Sequence, residues 1–193
     1  VNRTSKNLIV GARESLMNGN AFILGTTGSG KSQYAKKELT QVVLGRPDDD
    51  VIVIDPEREY TALGQALGAS MVEIGATSEH SLNPLAIRRD GDLEEGSPIK
   101  RKAEFALSMC EVLVGGSMGL TPAERSVVDR VATSMYNTWW QNKRAEQPTM
   151  ATFYDALVAE KDEAATTVAA ALEIYARGTF SGFAQQTNVD TSG

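Results

Sequence analysis

A chain of 193 residues, 41% hydrophobic and 23% charged, can bury a core of its own and has an ordinary globular composition. Its 25 acidic against 19 basic residues, a formal charge of −6, exclude wrapping nucleic acid over the whole surface, which needs clustered lysine and arginine. The single cysteine, Cys110, excludes an internal disulfide and fits a reducing compartment. No stretch approaches the roughly 20 apolar residues that span a bilayer, and the start lacks a signal peptide's apolar run, so a soluble, cytoplasmic chain is expected. The first residue is Val1 rather than methionine, which suggests a piece of a longer protein.

Asn7 to Val10 (NLIV) is weakly strand-like, and Met17 to Asn20 carries turn residues. Ala21 to Leu24 (AFIL) is a compact apolar run without helical spacing, which predicts a buried strand. From Lys31 to Leu44, Ala35, Leu39, Val42 and Val43 recur at helical spacing, with Lys36, Lys37 and Glu38 off the stripe and Gly45 as its stop. After a polar loop at 47–50, Val51 to Ile54 (VIVI) predicts a second buried strand. A short helix around Thr61 to Leu67 ends at Gly68, and Met71 to Ile74 predicts a third strand. Strand, helix and strand in this order build a right-handed unit of a parallel sheet, with ligands at the strands' C-terminal ends.

Beyond Pro84 the pattern is helical. Asp90 to Ser97, acidic and glycine-containing, reads as a subdomain junction, and Pro98 opens a helix running to Val114. Cys110 falls in that helix as a small core residue. Thr121 to Glu124 (TPAE) spells a capping box, in which threonine and glutamate satisfy free backbone N–H groups reciprocally. Val127, Val128, Val131, Met135, Thr138 and Trp139 form the expected buried face. Two further helices are expected at about Phe153 to Glu160 and Glu163 to Arg177, the second ended by Gly178. The fold class is α/β, with a nucleotide-binding part at 1–97 and an all-helical subdomain at 98–193.

Gly25, Thr26, Thr27, Gly28, Ser29, Gly30, Lys31 and Ser32 read G-x-x-x-x-G-K-S, the Walker A pattern of P-loop NTPases. Glycines let the loop wrap an anion closely, its N–H groups point inward, and the helix starting at Lys31 adds the positive end of its dipole. The expected ligands are ATP and Mg2+, with Gly25 to Gln33 as the binding run. Lys31 reaches the β- and γ-phosphates and Ser32 ligates the metal. A dinucleotide fold would need glycine at position 33, where Gln33 stands, so that reading fails.

The second strand continues into IDPEREY, which brings Asp55, Glu57 and Glu59 toward the nucleotide, where a carboxylate can orient or deprotonate a water. Asp55 and Glu57 have a second option, capping the next helix or pairing with Arg58.

Asn20 to Gly25 leading into the phosphate loop, then IDPEREY, SLNPL (Ser81 to Leu85), LTPAERSVVDR (Leu120 to Arg130) and FAQQTNVD (Phe183 to Asp190), together resemble the conjugation and type IV secretion ATPases of the VirB-four, TraC- or TraE-like kind. The resemblance implies a RecA-like motor core with an inserted helical subdomain. It implies hexamers at the cytoplasmic face of the cell membrane, held there by channel components, that hydrolyse ATP to move substrate or assemble the channel. Glu57 is then the water-activating base, Glu59 the second candidate, and Asp55 a metal ligand beside Ser32. The family's Walker B strand, beyond the helical insert, is not found after Gly178, so an incomplete sheet and weak hydrolysis by this chain are expected.

Asn83 and Pro84 either position a loop against the nucleotide or form a plain turn, and the lone His80 is no metal site. By resemblance alone, Asn188 and Asp190 approach the nucleotide or a neighbouring subunit. Trp139 continues a buried stripe, and Trp140 is a candidate for exposure. The densest basic spots, Arg88 with Arg89 and Lys100 to Lys102, read as solvated faces, so charge does not support DNA binding. The alternatives are a HerA- or FtsK-like DNA translocase and a nucleotide-regulated scaffold. A small-molecule kinase would carry clustered lid arginines that the helical part lacks.

Overall fold

The computed structural model describes residues 4, 17–75, 77–87, 97–142 and 145–189. The expected strand at 7–10, most of the junction at 90–97, and Arg88, Arg89 and Asp190 lie outside them. The chain falls into two compact units, Val1–Met71 and Val72–Ser192. Composition suggests a boundary at 97/98, whereas compactness draws one after residue 71. The reason is that 79–87 is bonded to the later part of the chain, to Gln147 and Pro148 and to the helical residues Lys102 and Tyr136.

The first unit carries α1 (Lys31–Gly45) and α2 (Thr61–Ala66). Ala35, Leu39, Val42 and Val43 form part of a half-buried side of α1, as their spacing predicts. Past α2, Gly68 adopts φ 75° and its N–H donates to the Gln65 carbonyl (3.2 Å), while the Ala69 N–H donates to the Gly64 carbonyl (2.9 Å). This pairing satisfies carbonyls that the helix end would otherwise leave without partners.

The runs 21–24, 51–54 and 71–74 belong to no ladder among the described residues. The expectation of buried strands is corrected: Phe22, Leu24, Ile52 and Ile54 are 88–90% exposed, while Ile23, Val51 and Val53 lie at 39–45%. That alternation has the period of two of a strand. A strand hides its faces only when neighbours pair its edges and helices cover it. In this unit one helix of 15 residues and one of 6 do not supply that cover.

The second unit holds the buried core in four helices: α3 (Pro98–Leu113), α4 (Pro122–Gln141), α5 (Met150–Ala159) and α6 (Glu163–Ala176). α4 packs against α3, α5 and α6. Alanines at 103, 106, 132, 165 and 169 allow close approach, and Cys110, Val128, Phe153, Leu157, Val168 and Leu172 fill the space between. The capping box at Thr121 forms as predicted, with the Glu124 N–H donating to Thr121 Oγ1 (3.3 Å) and the Thr121 N–H to Glu124 Oε2 (2.8 Å). α5 begins three residues earlier than its apolar pattern suggests, because Thr149 and Thr152 form a second capping box. On α4, Thr138 is exposed and Tyr136 is buried in its place. The 3.6-residue period drifts, so Ala132, Tyr136 and Trp139 continue the stripe begun by Val128. Trp140 is half-buried, edge-on to Trp139 at 6.0 Å.

The extended stretch 79–87 is bound to this bundle largely by side-chain amides. Gln147 pairs with both backbone groups of Ile87 (2.9 and 3.0 Å). Asn188 accepts from the Ser81 N–H (2.7 Å) and donates to the Glu79 carbonyl (2.8 Å). Buried Asn83 donates to the Pro148 carbonyl and Gln186 Oε1 and accepts from the Leu85 N–H. Tyr136 donates its hydroxyl to the Leu85 carbonyl (3.0 Å), and Lys102 its ammonium to the Pro84 carbonyl (3.1 Å). Lys102 is therefore not a simple solvated charge; burial pushes its pKa down.

Asn83→Ala is expected to destabilise the second unit by about 1–3 kcal/mol, because buried partners lose their bonds without gaining water. Urea unfolding followed by far-UV circular dichroism checks this, and an unchanged midpoint would refute the role. Burial, and then the charge of Glu111, push the Cys110 thiol up to about 12. The folded state therefore keeps its proton where the unfolded thiol, at about 8.5, loses it. This contribution is complete below about pH 8.5 and is lost as pH rises toward 12, by up to ~1.4 kcal/mol per pH unit. Urea midpoints at pH 8 and pH 10 are expected to differ more for the unaltered chain than for Cys110→Ala.

Candidate functional site

The phosphate loop lies in the first unit, between the AFIL run and α1. Gly28 and Gly30 adopt φ 78° and 86°, the left-handed region in which a β-carbon is strained. At Gly25 a β-carbon would lie 2.4 Å from Ser29 Oγ and 3.2 Å from Lys31 Cγ, so those two side chains would have to shift to accept one. The Ser29 N–H closes a turn onto the Thr26 carbonyl (3.2 Å). Gly30 is the N-cap of α1 and carries no side chain to accept the first amides, and the first turn contains no acidic residue. The start of α1 therefore keeps its free N–H groups and the positive end of its dipole without an internal anion, which suits a phosphate.

Lys31 reaches back over the loop and donates Nζ to the Thr26 carbonyl (2.9 Å). This is an exposed neutral acceptor, and a phosphate oxygen is a stronger one. Ser32 stands beside Lys31 in the first turn of α1, while Thr26, Thr27, Ser29 and Gln33 are exposed. The donor set fits a polyphosphate, with the Ser32 hydroxyl available to a divalent cation that takes its other ligands from phosphate and water. Among the described residues no group of three His, Cys, Asp or Glu side chains is placed to hold a metal without phosphate.

Asp55, Glu57 and Glu59 fall in the same compact unit as the phosphate loop. The half-buried Asp55 carboxylate accepts the Glu59 N–H on Oδ1 (3.1 Å) and the Tyr60 N–H on Oδ2 (2.7 Å). Asp55 thus holds the turn ahead of α2 and does not cap the helix, whose N-cap is Tyr60 and which has no side-chain cap, and each oxygen keeps a lone pair for a further partner. Glu57 and Glu59 are exposed on the turn so formed. Tyr60 ties the turn to α1, with the Lys36 ammonium 5.4 Å from its ring centroid, a contact that no local pattern announces.

The remaining candidates have structural duties in the second unit. His80 accepts the Glu73 N–H on Nδ1 (2.9 Å), and Asn83 opens the expected turn, with the Ala86 N–H donating to its carbonyl (3.4 Å), and is also the centre of the amide network. Asn188 is engaged with Ser81 and Glu79.

A loop shaped by left-handed glycines, opening onto an uncapped helix and followed by an acidic turn tethered to that helix, defines the P-loop NTPase class. Within it, the chain belongs to the family described as helicase HerA, central domain (DUF87), whose model matches residues 14–114. It is also similar to the solved structure of VirB4 from Thermoanaerobacter pseudethanolicus, with 26% identity and a TM-score of 0.73 over 95% of this chain and 49% of that one. The chain thus spans about half the length of that VirB4 chain. No curated protein matches. The VirB-four likeness of the sequence motifs is borne out. Among the described residues, no helix is long and apolar enough to cross a membrane.

Asp55→Ala is expected to speed amide exchange at Glu59 and Tyr60 by about tenfold, the loss of about one net hydrogen bond, while helix content is kept. Exchange rates that stay as they are would mean that Asp55 does not hold the turn.

Proposed function

We propose that this chain is the ATP-binding part of a motor ATPase of the type IV secretion or conjugation kind. The observation that carries the reading is the phosphate loop itself, where Gly28 and Gly30 turn left-handed and α1 starts without a side-chain cap. In this reading residues 1–97 supply a RecA-like core and 98–193 the helical subdomain. Gly25 to Gln33 cradle the phosphates, and Lys31 exchanges its bond to Thr26 for the β- and γ-phosphates. Mg2+, when bound, neutralises developing charge on those phosphates, and Ser32 and Asp55 are the residues that would hold it. Glu57 orients and deprotonates the attacking water, with Glu59 as the second candidate, and their exposure on a capped turn is compatible with reaching a bound nucleotide.

The whole protein would act as a hexamer, docked on secretion-channel components at the inner face of the cell membrane and associated with the membrane only through them. The acidic balance of the chain disfavours DNA binding by this part alone. A second reading, a HerA-like DNA translocase, is favoured by one observation, the family model that matches residues 14–114. Salt-dependent binding of the whole protein to DNA separates the two.

Titration calorimetry with Mg-ATP is expected to show binding that Lys31→Ala weakens about 10- to 150-fold, the loss of a charged hydrogen bond of about 1.5–3 kcal/mol. Equal affinity in the two proteins would refute the phosphate-loop reading. In the whole protein, Glu57→Gln is expected to leave Mg-ATP binding intact and stop phosphate release. Unchanged turnover would remove Glu57 as the base.

A further inference from the structure

His80, the chain's only histidine, links a firmly bonded stretch of the second unit to that unit's first residues. Its backbone neighbours are fastened on both sides by Asn188. That residue donates its side-chain amide to the Glu79 carbonyl (2.8 Å), accepts the Ser81 N–H on Oδ1 (2.7 Å) and donates its own N–H to the Ser81 carbonyl (3.2 Å). The half-buried His80 ring lines a cleft at the end of the helical bundle, against Leu82, Phe180 and Phe183. From this fixed position Nδ1 accepts the N–H of Glu73 (2.9 Å), which follows Val72, where the unit begins. The Glu73 carbonyl accepts from Ser78 Oγ (2.6 Å), a hydroxyl that in turn accepts the His80 N–H (3.0 Å). Both backbone groups of Glu73 are thus tied by side chains, and one of the two ties ends on an atom that can take up a proton.

A ring nitrogen that accepts a hydrogen bond holds a free lone pair, so this imidazole is neutral and its proton sits on Nε2. An imidazolium carries a hydrogen on both nitrogens and accepts nothing, so protonation at Nδ1 sets two donors against each other. We propose that His80 is a proton-operated latch: neutral, it fastens the first residues of the second unit, where the chain passes from one unit to the other, and protonated, it lets them go. Imidazole is the side chain that ordinarily changes charge between about pH 5 and 8, which sets the range in which such a latch works. The cleft residues around the ring, Ile74, Gly75, Leu82, Phe180, Gly182 and Phe183, carry no charge. The carboxylates of Glu73 and Glu79 flank it in sequence, both on exposed residues. A nearby carboxylate affects the pH of the change but cannot restore the lost lone pair. Ser78 keeps its bond to the Glu73 carbonyl, so protonation removes one tie of two and loosens the segment without unfolding the unit.

The test is the protection of the Glu73 amide against solvent exchange, read by NMR on the full chain with the intrinsic pH dependence of exchange divided out. Between about pH 8 and about pH 5 protection is expected to fall about tenfold, the scale of one net hydrogen bond, with the same midpoint as the His80 ring-proton shift. His80→Asn, whose Oδ1 can accept the same N–H and does not titrate, is expected to keep the protection across the range. His80→Ala is expected to lack it throughout. Protection that stays constant in the unaltered chain overturns the proposal. So does an equal fall in His80→Asn, which would assign the effect to the Glu73 and Glu79 carboxylates. Should His80→Asn lose its helical circular dichroism, the unaltered chain decides alone: Glu73 and His80 signals that titrate with different midpoints refute the latch.

Discussion

Backbone amides at the start of α1 that no side chain caps among the described residues are the constraint around which the first unit is organised. α1 begins on a left-handed glycine, has no carboxylate in its first turn and no side-chain cap, so its free N–H groups face outward. A helix start meant only for stability would carry serine, threonine or aspartate at that position, as Thr121, Thr149 and Asp162 do for α4, α5 and α6. Because α2 and α3 also start without a side-chain cap, what sets α1 apart is the left-handed Gly30 at its start and the glycine loop before it. Lys31, folded onto Thr26, contributes the one mobile charge of that arrangement.

The acidic turn depends on the same helix. Asp55 gives up both carboxylate oxygens to backbone amides, which makes it first an organiser of the 55–60 turn. Lys36 and Tyr60 then couple that turn to α1, so the groups proposed to bind phosphate and the groups proposed to activate water share one support. Chemistry at a phosphate depends on positioning more than on covalent participation, and a shared rigid support is one way to provide it.

The second unit is stabilised on a different principle. Alanines bring its helices close, large side chains close the remaining gaps, and among the described residues none that is buried is charged. The extended stretch 79–87 is then held by the amides of Asn83, Gln147, Gln186 and Asn188 instead of a neighbouring strand. Gln147 bonds to both the N–H and the carbonyl of Ile87, as a paired strand residue would. Asn83, the buried member of the set, makes the bonds that are costly to lose, while Gln186 and Asn188 bond from exposed positions.

Helices were legible in the amino-acid order because their causes are local. The stripe of α1, the proline at the start of α3 and the Thr121 to Glu124 cap act within four residues, and each element formed within a few residues of its expected limits. The phosphate loop was legible for the same reason, since its glycine positions and Lys31-Ser32 are contiguous. Two matters depended on contacts across the chain. AFIL and VIVI carry the composition of buried strands, yet burial belongs to whatever covers them, and their side chains alternate between exposed and half-exposed. Asn83 reads as a turn residue until Pro148 and Gln186, 65 and 103 positions away, are brought to it. The left-handed Arg58 sits in a turn held by its neighbours Asp55, Tyr60 and Thr61, a local cause that no composition pattern announces. Short-range order follows from neighbouring residues; burial and amide pairing follow only from which distant groups the fold brings within reach.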